Sequence, residues 1–323
     1  MRYRKNILVT GGAGYIGSQV CKELYKKNFC PITYDNLSTG KRISVKWGPF
    51  IKGDIRDKKK LKLVLKKYKP YIVMHLAALS SVEESQQLPK KYYSINYNGS
   101  LILVQAMNSN NIKNLIFSSS SSIFGRSKKY EVNSKTKKKP LSVYGSTKLK
   151  FEKELKRLHL RKNFNSVSLR YFNVGGADPE FDIGDRNLKG SRLISKLFHA
   201  IKYKKKFIVN GKNYETNDGT CIRDFIHVKD IALAHVRCIK LFQKRKLCKQ
   251  FNLGTGKPYS VLQVLKSVEK ITKNKIRYKL GPRRPGDPAG VFIKKINNPI
   301  LKTNNSSLKN IVLTSWNWFK KIN

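Results

Sequence analysis

Apolar residues in the first half of the chain concentrate in short runs, at 6–10, 31–34, 49–51, 71–76, 114–118 and 166–172. Between them, near 15–27, 57–68, 89–110 and 144–162, apolar positions recur at helical spacing among lysines and other polar residues. Unalternating runs predict strands buried on both faces. Helices between successive strands predict a parallel sheet covered on both sides. After about residue 175 the segments shorten, with Gly, Pro and Asn between them. We therefore expect a doubly wound α/β domain over 1–174 and a smaller lobe over 175–323 that closes on the carboxyl ends of the strands, with some exchange of strands or helices between lobes. Ser260-Val261-Leu262-Gln263 reads as a capping box opening a helix to about 271, and Phe251-Asn252-Leu253-Gly254 as a strand end. The Lys- and Ser-rich stretch 126–139 is the expected mobile loop.

The junctions between these elements carry the first chemistry. The run Asn6–Thr10 breaks into Gly11-Gly12-Ala13-Gly14-Tyr15-Ile16-Gly17 and then a helix. Glycines 12, 14 and 17 fit G-x-G-x-x-G, and 11, 14 and 17 fit a looser G-x-x-G-x-x-G. Between a strand and a helix this pattern lets a diphosphate approach the backbone at the helix N-terminus, where free N–H groups and the helix dipole favour an anion. The fold class is then α/β, a Rossmann-type doubly wound parallel sheet with a smaller C-terminal substrate-binding lobe. Asp35 ends the next run, where a carboxylate accepts hydrogen bonds from ribose hydroxyls and repels a 2′-phosphate, so NAD is expected over NADP. Lys41 and Arg42 lie just downstream and soften that exclusion. Gly53-Asp54-Ile55 follows the third run as an adenine-contacting turn would. Leu76-Ala77-Ala78 follows the fourth, where small residues let a cofactor lie against the sheet.

Composition narrows the class. A chain of 323 residues, 40% hydrophobic, can bury one large core or two smaller ones. No apolar run approaches the roughly 20 residues that span a bilayer. The run after the charged start Met1–Lys5 meets glycine too soon for a signal peptide, so a cytoplasmic protein is expected. Five cysteines without a C-x-x-C pair and five histidines without H-E-x-x-H give neither a disulfide framework nor a metal constellation. The net charge of +49 would attract nucleic acid or anionic membrane. However, the lysine clusters at 58–60, 137–139, 204–206 and 244–246 are spread along the chain. With abundant Asn, Ile and Tyr and little Ala, this reads as a solvated surface made by compositional drift, with no specific nucleic-acid or membrane partner.

Tyr144-Gly145-Ser146-Thr147-Lys148 places a phenol and an ammonium four residues apart, hence on one helix face. A nearby lysine charge and a cationic nicotinamide would lower the tyrosine pKa and make it a workable base. Ser118, Ser119 and Ser120 follow Leu115-Ile116-Phe117, where a hydroxyl can share a hydrogen bond with the tyrosine and a substrate hydroxyl.

Thr10–Gly17, Asp35-Asn36-Leu37, Gly53-Asp54-Ile55-Arg56, Ser118–Ser120, Tyr144 with Lys148, and Arg170-Tyr171-Phe172-Asn173 together resemble the extended short-chain dehydrogenase/reductases. Gly219-Thr220 with Arg223-Asp224-Phe225-Ile226-His227-Val228, and Arg283-Arg284-Pro285-Gly286-Asp287-Pro288, narrow the resemblance to the UDP-glucose 4-epimerase family, nearly end to end. The resemblance implies Tyr144 as base, Lys148 as its ribose-holding partner, and Ser120 as the residue positioning the sugar hydroxyl. It implies NAD contacts from Gly11, Gly14, Tyr15, Ile16, Gly17, Asp35, Asn36, Asp54, Ile55, Leu76, Ala77, Ala78, Asn96, Ser118, Tyr144, Lys148 and Phe172. It implies UDP-sugar contacts from Ser120, Tyr144, Asn173, Arg192, Arg223, Arg284, Asp287 and Val291. The arginines suit a diphosphate on their own chemistry, as planar donors.

The reaction implied is interconversion of UDP-galactose and UDP-glucose: the C4 hydride goes to NAD, the 4-keto sugar rotates, and the hydride returns to the other face. A homodimer on the helices at 89–110 and 144–162 is also implied, with Ile95, Leu101, Leu103, Leu149, Phe151 and Leu155 as its apolar positions. Val291, aligned through Arg284, Gly286 and Asp287, would stand where a bulky tyrosine excludes N-acetylated UDP-hexosamines. The chain departs from the family at Arg192, usually Asn or His, at Ser195, usually Pro, and from Lys294 onward, where Leu-Gly-Trp is missing and a less stable outer lobe is expected. A dehydratase of the same fold would carry an acidic pair beside the catalytic hydroxyl, whereas Ser120 is followed by Ser121, Ser122 and Ile123. A binding protein that kept the fold and used its basic surface is the reading from another class, and the intact Tyr144/Lys148 pair speaks against it.

Overall fold

The computed structural model describes residues 5–187, 192–243, 246–283, 288–294 and 298–323. The strands are β1 (Asn6–Thr10), β2 (Cys30–Asp35), β3 (Phe50–Lys52), β4 (Ile72–His75), β5 (Asn114–Ser120), β6 (Glu131–Val132), β7 (Asn165–Tyr171), β8 (Asn173–Gly175), β9 (Phe207–Asn210), β10 (Ile222–His227), β11 (Cys248–Leu253), β12 (Pro258–Ser260), β13 (Tyr278–Gly281) and β14 (Gly290–Ile293). The helices are α1 (Tyr15–Lys26), α2 (Lys58–Tyr68), α3 (Val82–Gln87), α4 (Pro89–Tyr92), α5 (Gly99–Ser109), α6 (Val143–Lys162), α7 (Leu193–Lys202), α8 (Val228–Cys238), α9 (Val261–Thr272) and α10 (Leu308–Ile322).

The main sheet runs β11-β7-β5-β4-β1-β2-β3, and each pairing in it is parallel. Alternate residues of each strand feed different cores. On β1, Ile7 and Val9 pack with Val20, Cys21 and Leu24 of α1 and Ile231, Ala232 and Cys238 of α8. Leu8 faces the other way, toward Leu61 and Leu65 of α2, Leu103 and Met107 of α5, and Phe151 and Leu155 of α6. Burying each such side chain contributes roughly 1.5–3 kcal/mol, which is why β1 carries apolar residues toward both faces of the sheet. Phe117 and Phe151 meet edge to face at 4.8 Å, pinning α6 to β5.

The second half of the chain does not stay apart. Helix α8 packs on α1, and β11 forms the edge of the main sheet beside β7. The remainder, joined by β6 and β8 from earlier in the chain, builds a second sheet, β12-β10-β14-β6 with β8 on β10, and a parallel pair of β13 with β9. Its core gathers Ile194, Leu197 and Phe198 of α7, Val264 and Val268 of α9, and Ile311, Val312 and Phe319 of α10. The capping box at α9 is present, with Ser260 accepting from Gln263 N and the Gln263 side chain accepting from Ser260 N.

Two local readings change. The pattern at 89–110 reads as one helix, but Tyr93–Asn98 between α4 and α5 is a π-helical stretch, whose wider turn turns Asn96 into the protein. The stretch 126–139 contains β6, which pairs with β14 and so ties this loop to the second lobe.

Candidate active site

Strand order reverses between β1 and β4, because the chain continues from β1 to β2 on one side and returns to β4 on the other. The crevice outside the carboxyl ends at such a point is where an α/β sheet takes a ligand. Gly11 follows β1 with φ +74°, and a Cβ there would lie 2.6 Å from Ala77 N, in the Leu76–Ala78 segment that follows β4. A Cβ on Gly17 would lie 2.0 Å from the Gly11 carbonyl oxygen. Side chains are thus excluded where strand, turn and helix meet. No side chain caps α1 at Gly14, so its first-turn amides are left for an anion.

Asp35 is buried at the end of β2, and its carboxylate accepts from Ala13 N at 3.0 Å and Leu37 N at 2.8 Å. Burial raises its pKa, while those two N–H groups pull it back. Asn36 donates to Asp54 at 2.9 Å, and Arg56 holds the Asp54 carboxyl well below the usual range. Ile55 is buried beside them. Asn96 spends its amide on the backbone of Leu79, accepting from N at 2.9 Å and donating to O at 3.0 Å. Its role in this structure is to fix the turn after Ala78. Lys41 lines a smaller cavity of about 370 Å³ beside Ala13, Gly14 and Tyr15, while Arg42 lies over the Phe50 ring.

A larger cavity, about 750 Å³, opens between the lobes. Ser120, Tyr144, Phe172, Asn173, Arg192 and Arg223 all line it. Ser142 caps α6 by accepting from Gly145 N, so the helix begins just before Tyr144 and presents positions 144, 148 and 152 along one face. Burial raises the Tyr144 pKa; a hydrogen bond from Ser120 and the charge of Arg192 draw it down. Lys148 lies 3% exposed, donates to the Ser118 carbonyl at 2.7 Å and sits 5.8 Å from the Tyr144 ring centre. Burial lowers its pKa to about 7, Glu152 opposing.

Other expected contacts divide. Arg223 pairs in register with Val291 across β10 and β14, and faces the cavity. Val291 itself does not: it is 6% exposed, packed with Ile123, Phe124, Val132 and Phe172. The steric role expected of it is corrected to a core role, since β14 turns that side chain inward. Arg284 and Asp287 lie outside the described residues. On the expected dimer helices, Leu103, Phe151 and Leu155 belong to the core, whereas Ile95, Leu101 and Leu149 are only partly buried.

Two residues of the site escaped the sequence reading. Asp185 lines the cavity and holds Arg192 Nη1 with both oxygens at 3.0 Å. Glu152 accepts from Ser119 at 2.6 Å and from Arg170, tying α6 to β5 and β7. Glu152 had a usable signal, four residues beyond Lys148; Asp185 had none. Asp178, Glu180 and Asp182 also converge, on the buried ammonium of Lys22 at 2.5, 2.9 and 2.7 Å.

Residues 7–254 match the model of the NAD dependent epimerase/dehydratase family. The chain is 38% identical, over 98% of both lengths, to a UDP-glucose 4-epimerase of Rhizobium meliloti (strain 1021). It is similar, with a TM-score of 0.92 and 36% identity over 98% of each chain, to UDP-glucose 4-epimerase from Brucella ovis solved in complex with NAD. The enzyme from Bifidobacterium longum, solved with NAD⁺ and UDP, is 32% identical over 98% of each chain, with a TM-score of 0.91.

Proposed function

The chain belongs to the NAD dependent epimerase/dehydratase family, and from that premise we infer that it is an isomerase interconverting UDP-galactose and UDP-glucose at C4 with NAD as cofactor. The observation that carries the reading is the shared cavity. Tyr144 and Ser120 stand at the carboxyl end of β5, within one chamber that also exposes Asn173 and Arg223.

The residues present fit a dinucleotide. The turn at Gly11–Gly17 has no room for a Cβ at its ends, and the amides that open α1 suit a diphosphate. Asp35 suits the adenosine ribose hydroxyls, with Asn36, Asp54 and Ile55 beside it. When bound, NAD supplies a reversible hydride acceptor. Tyr144 takes the proton of the C4 hydroxyl and gives it back, and Ser120 holds both hydroxyls in line by hydrogen bonding. Arg223 and Asn173 suit the nucleotide diphosphate and the sugar, from the wall that the second lobe provides. Because oxidation and reduction cancel within one turnover, no dinucleotide is consumed. Incubation of the purified protein with UDP-galactose alone should then yield UDP-glucose; absence of conversion with NAD supplied would overturn the reading.

The reading extends to a homodimer through α5, α6 and the π-helical turn. Lys150 lies over the rings of Tyr93 and Tyr97 at 5.4 and 4.5 Å, next to the partly buried Ile95 and Leu101. Light scattering at micromolar protein and moderate salt should give twice the chain mass, and a monomer there refutes the pairing. The five free cysteines suit a reducing compartment, the cytoplasm. Among the described residues no helix is long and apolar enough to cross a membrane.

A further inference from the structure

Helix α1 presents one stripe of hydrogen-bonding side chains. Tyr15, Gln19, Lys22 and Lys26 stand at positions i, i+4, i+7 and i+11, and all reach the segment 176–187 that follows β8. Tyr15 donates to the Gly176 carbonyl at 2.5 Å and Gln19 to Asp178 at 3.2 Å. Lys22 meets Asp178, Glu180 and Asp182 at 2.5, 2.9 and 2.7 Å, and Lys26 pairs with Glu180. Helix α10 holds the same segment from the second lobe. Thr314 and Ser315 accept from Ala177 N at 3.2 Å and Gly176 N at 3.1 Å. Trp318 Nε1 donates to the Asp185 carbonyl at 3.0 Å, and Lys321 to the Phe181 carbonyl at 2.8 Å. The segment is thus a strap laid between one helix of each lobe. Its far end, Gly184–Asn187, borders the smaller cavity beside Ala13 and Gly14, where the glycine turn opens α1.

We propose that Lys22 is a positioning residue of the cofactor site, whose ammonium keeps this strap closed and so slows departure of the dinucleotide; the proposal rests on the NAD reading above. The charges are placed for holding. Acidic residues number 19 against 68 basic ones, yet three of the 19 fall within five positions of the strap, and all three turn to one lysine. The turn that gathers them is closed by Asp178 N on the Ile183 carbonyl at 3.0 Å and by Phe181 N on the Asp178 carbonyl at 2.8 Å. Phe181 sits in it at φ +53°, a left-handed conformation that a phenylalanine seldom takes unless its surroundings impose it. The side chains of Lys22 and Asp178 are 2% and 1% exposed, so neither charge has water to fall back on. Lys26 and Lys46 also reach Glu180 and Asp182, but among the described residues no other cation is paired with Asp178. Removing the ammonium leaves a buried carboxylate uncompensated, with two more beside it, and that favours release of the strap from α1. The α10 side holds by hydrogen bonds to backbone groups and supplies no replacement charge to Asp178. Release opens the wall of the cavity at Gly184–Asn187, next to the turn that suits the diphosphate.

The test compares wild type, Lys22→Met and Lys22→Arg, each loaded with NAD. An auxiliary alcohol dehydrogenase with ethanol reduces the NAD that is released, and the absorbance of the NADH formed gives the rate. Hydrogen exchange of the NAD-free proteins, read by mass spectrometry, reports on residues 176–187. Lys22→Met should release NAD at least about tenfold faster, in keeping with the large effect of removing one partner of a buried pair. Exchange should rise in 176–187 and stay unchanged in β1, β4 and β5. Lys22→Arg keeps the charge and should stay close to wild type. Asp178→Asn breaks the same pair more mildly and should shift release in the same direction, which serves where Lys22→Met does not fold. Release at the wild-type rate in these two variants would overturn the proposal, whether or not the strap exchanges faster. Exchange raised equally in the strap and in β1, β4 and β5 would overturn it in favour of a general loss of stability. A wild type that takes up no NAD would overturn the cofactor reading and the proposal with it, an outcome distinct from NAD that binds and leaves every variant alike.

Discussion

Arg170 grips Glu152 through two hydrogen bonds, Nε to Oε1 at 2.9 Å and Nη2 to Oε2 at 2.7 Å, with both side chains buried. Glu152 lies one turn after Lys148 and two after Tyr144 on α6, while Arg170 belongs to β7. The pair therefore sets the height of the catalytic helix above the sheet, and Ser119 completes the joint from β5. It is also the negative charge that holds up the Lys148 pKa.

Glu152→Gln should cost about 3–5 kcal/mol of unfolding free energy, because it leaves the buried Arg170 guanidinium without a counter-charge. Urea unfolding at pH 7 measures this. A loss below about 1 kcal/mol would mean that water or a rotated side chain satisfies Arg170.

Tyr144→Phe should lower kcat by roughly 10²–10⁴-fold, the usual worth of a positioned acid or base. The ring keeps its packing, and the phenol hydroxyl contributes little to dinucleotide affinity beside the other expected NAD contacts, so NAD released on denaturing the purified variant should match wild type. Near-normal turnover would remove Tyr144 from the proton transfer.

Acid should destabilise the fold through its buried histidines. His75 is held between Thr10 at 2.7 Å and Ser100 at 2.8 Å. Ser100 spends its own proton on the Asn96 carbonyl, so His75 Nε2 donates to Ser100 and Nδ1 accepts from Thr10; the ring is neutral. Burial lowers His75 to about 3, and His227 and His235 to about 4, from 6.5. The unfolded chain binds these protons first as pH falls. The stabilisation is complete above about pH 6.5 and is lost progressively as pH falls to about 4 for His227 and His235 and to about 3 for His75, at up to about 1.4 kcal/mol per pH unit for each ring. Unfolding free energies at pH 7, 6 and 5 should trace this decline, and His75→Asn should show a shallower slope. Equal slopes would show that His75 is not a neutral ring in the native state.

Val291→Tyr should act through packing. The side chain sits among Phe124, Val132 and Phe172, and a phenol there overfills the core at a typical cost of 1–3 kcal/mol. Thermal melting gives the measure. A Tm equal to wild type, with a changed ratio of activity on acetylated and non-acetylated substrate, would restore the steric role.

The strands flanking the crevice were legible because burial on both faces writes them as short apolar runs, and the glycines because the turn leaves no room for a Cβ. Strand β11 left a fainter trace. Its sequence Cys-Lys-Gln-Phe-Asn-Leu mixes polar and apolar residues, as an edge strand with one solvated side does, and only its end was apparent. The bond between Arg192 and Asp185 had no trace, since no periodic pattern in the sequence between them fixes a spatial relation. The inward face of Val291 was misjudged because side chains alternate along a strand, and a short strand like β14 gives too few positions to set the phase.

The edge position of β11 has a consequence for how the protein is made. Translation delivers β7 well before β11, and the second sheet's strand β10 comes between them. During that interval β7 presents a row of unpaired backbone groups on its outer side, the kind of template that recruits a neighbouring chain. A ribosome-bound chain arrested far enough past Tyr171 to free β7 from the exit tunnel, but before β11 has emerged, should be captured by holdase chaperones and cleaved readily by protease, and one arrested far enough past Leu253 to free β11 should not. The half of the molecule that reads as a self-sufficient nucleotide-binding domain is thus the half that must wait, and its completion is timed by the arrival of the other.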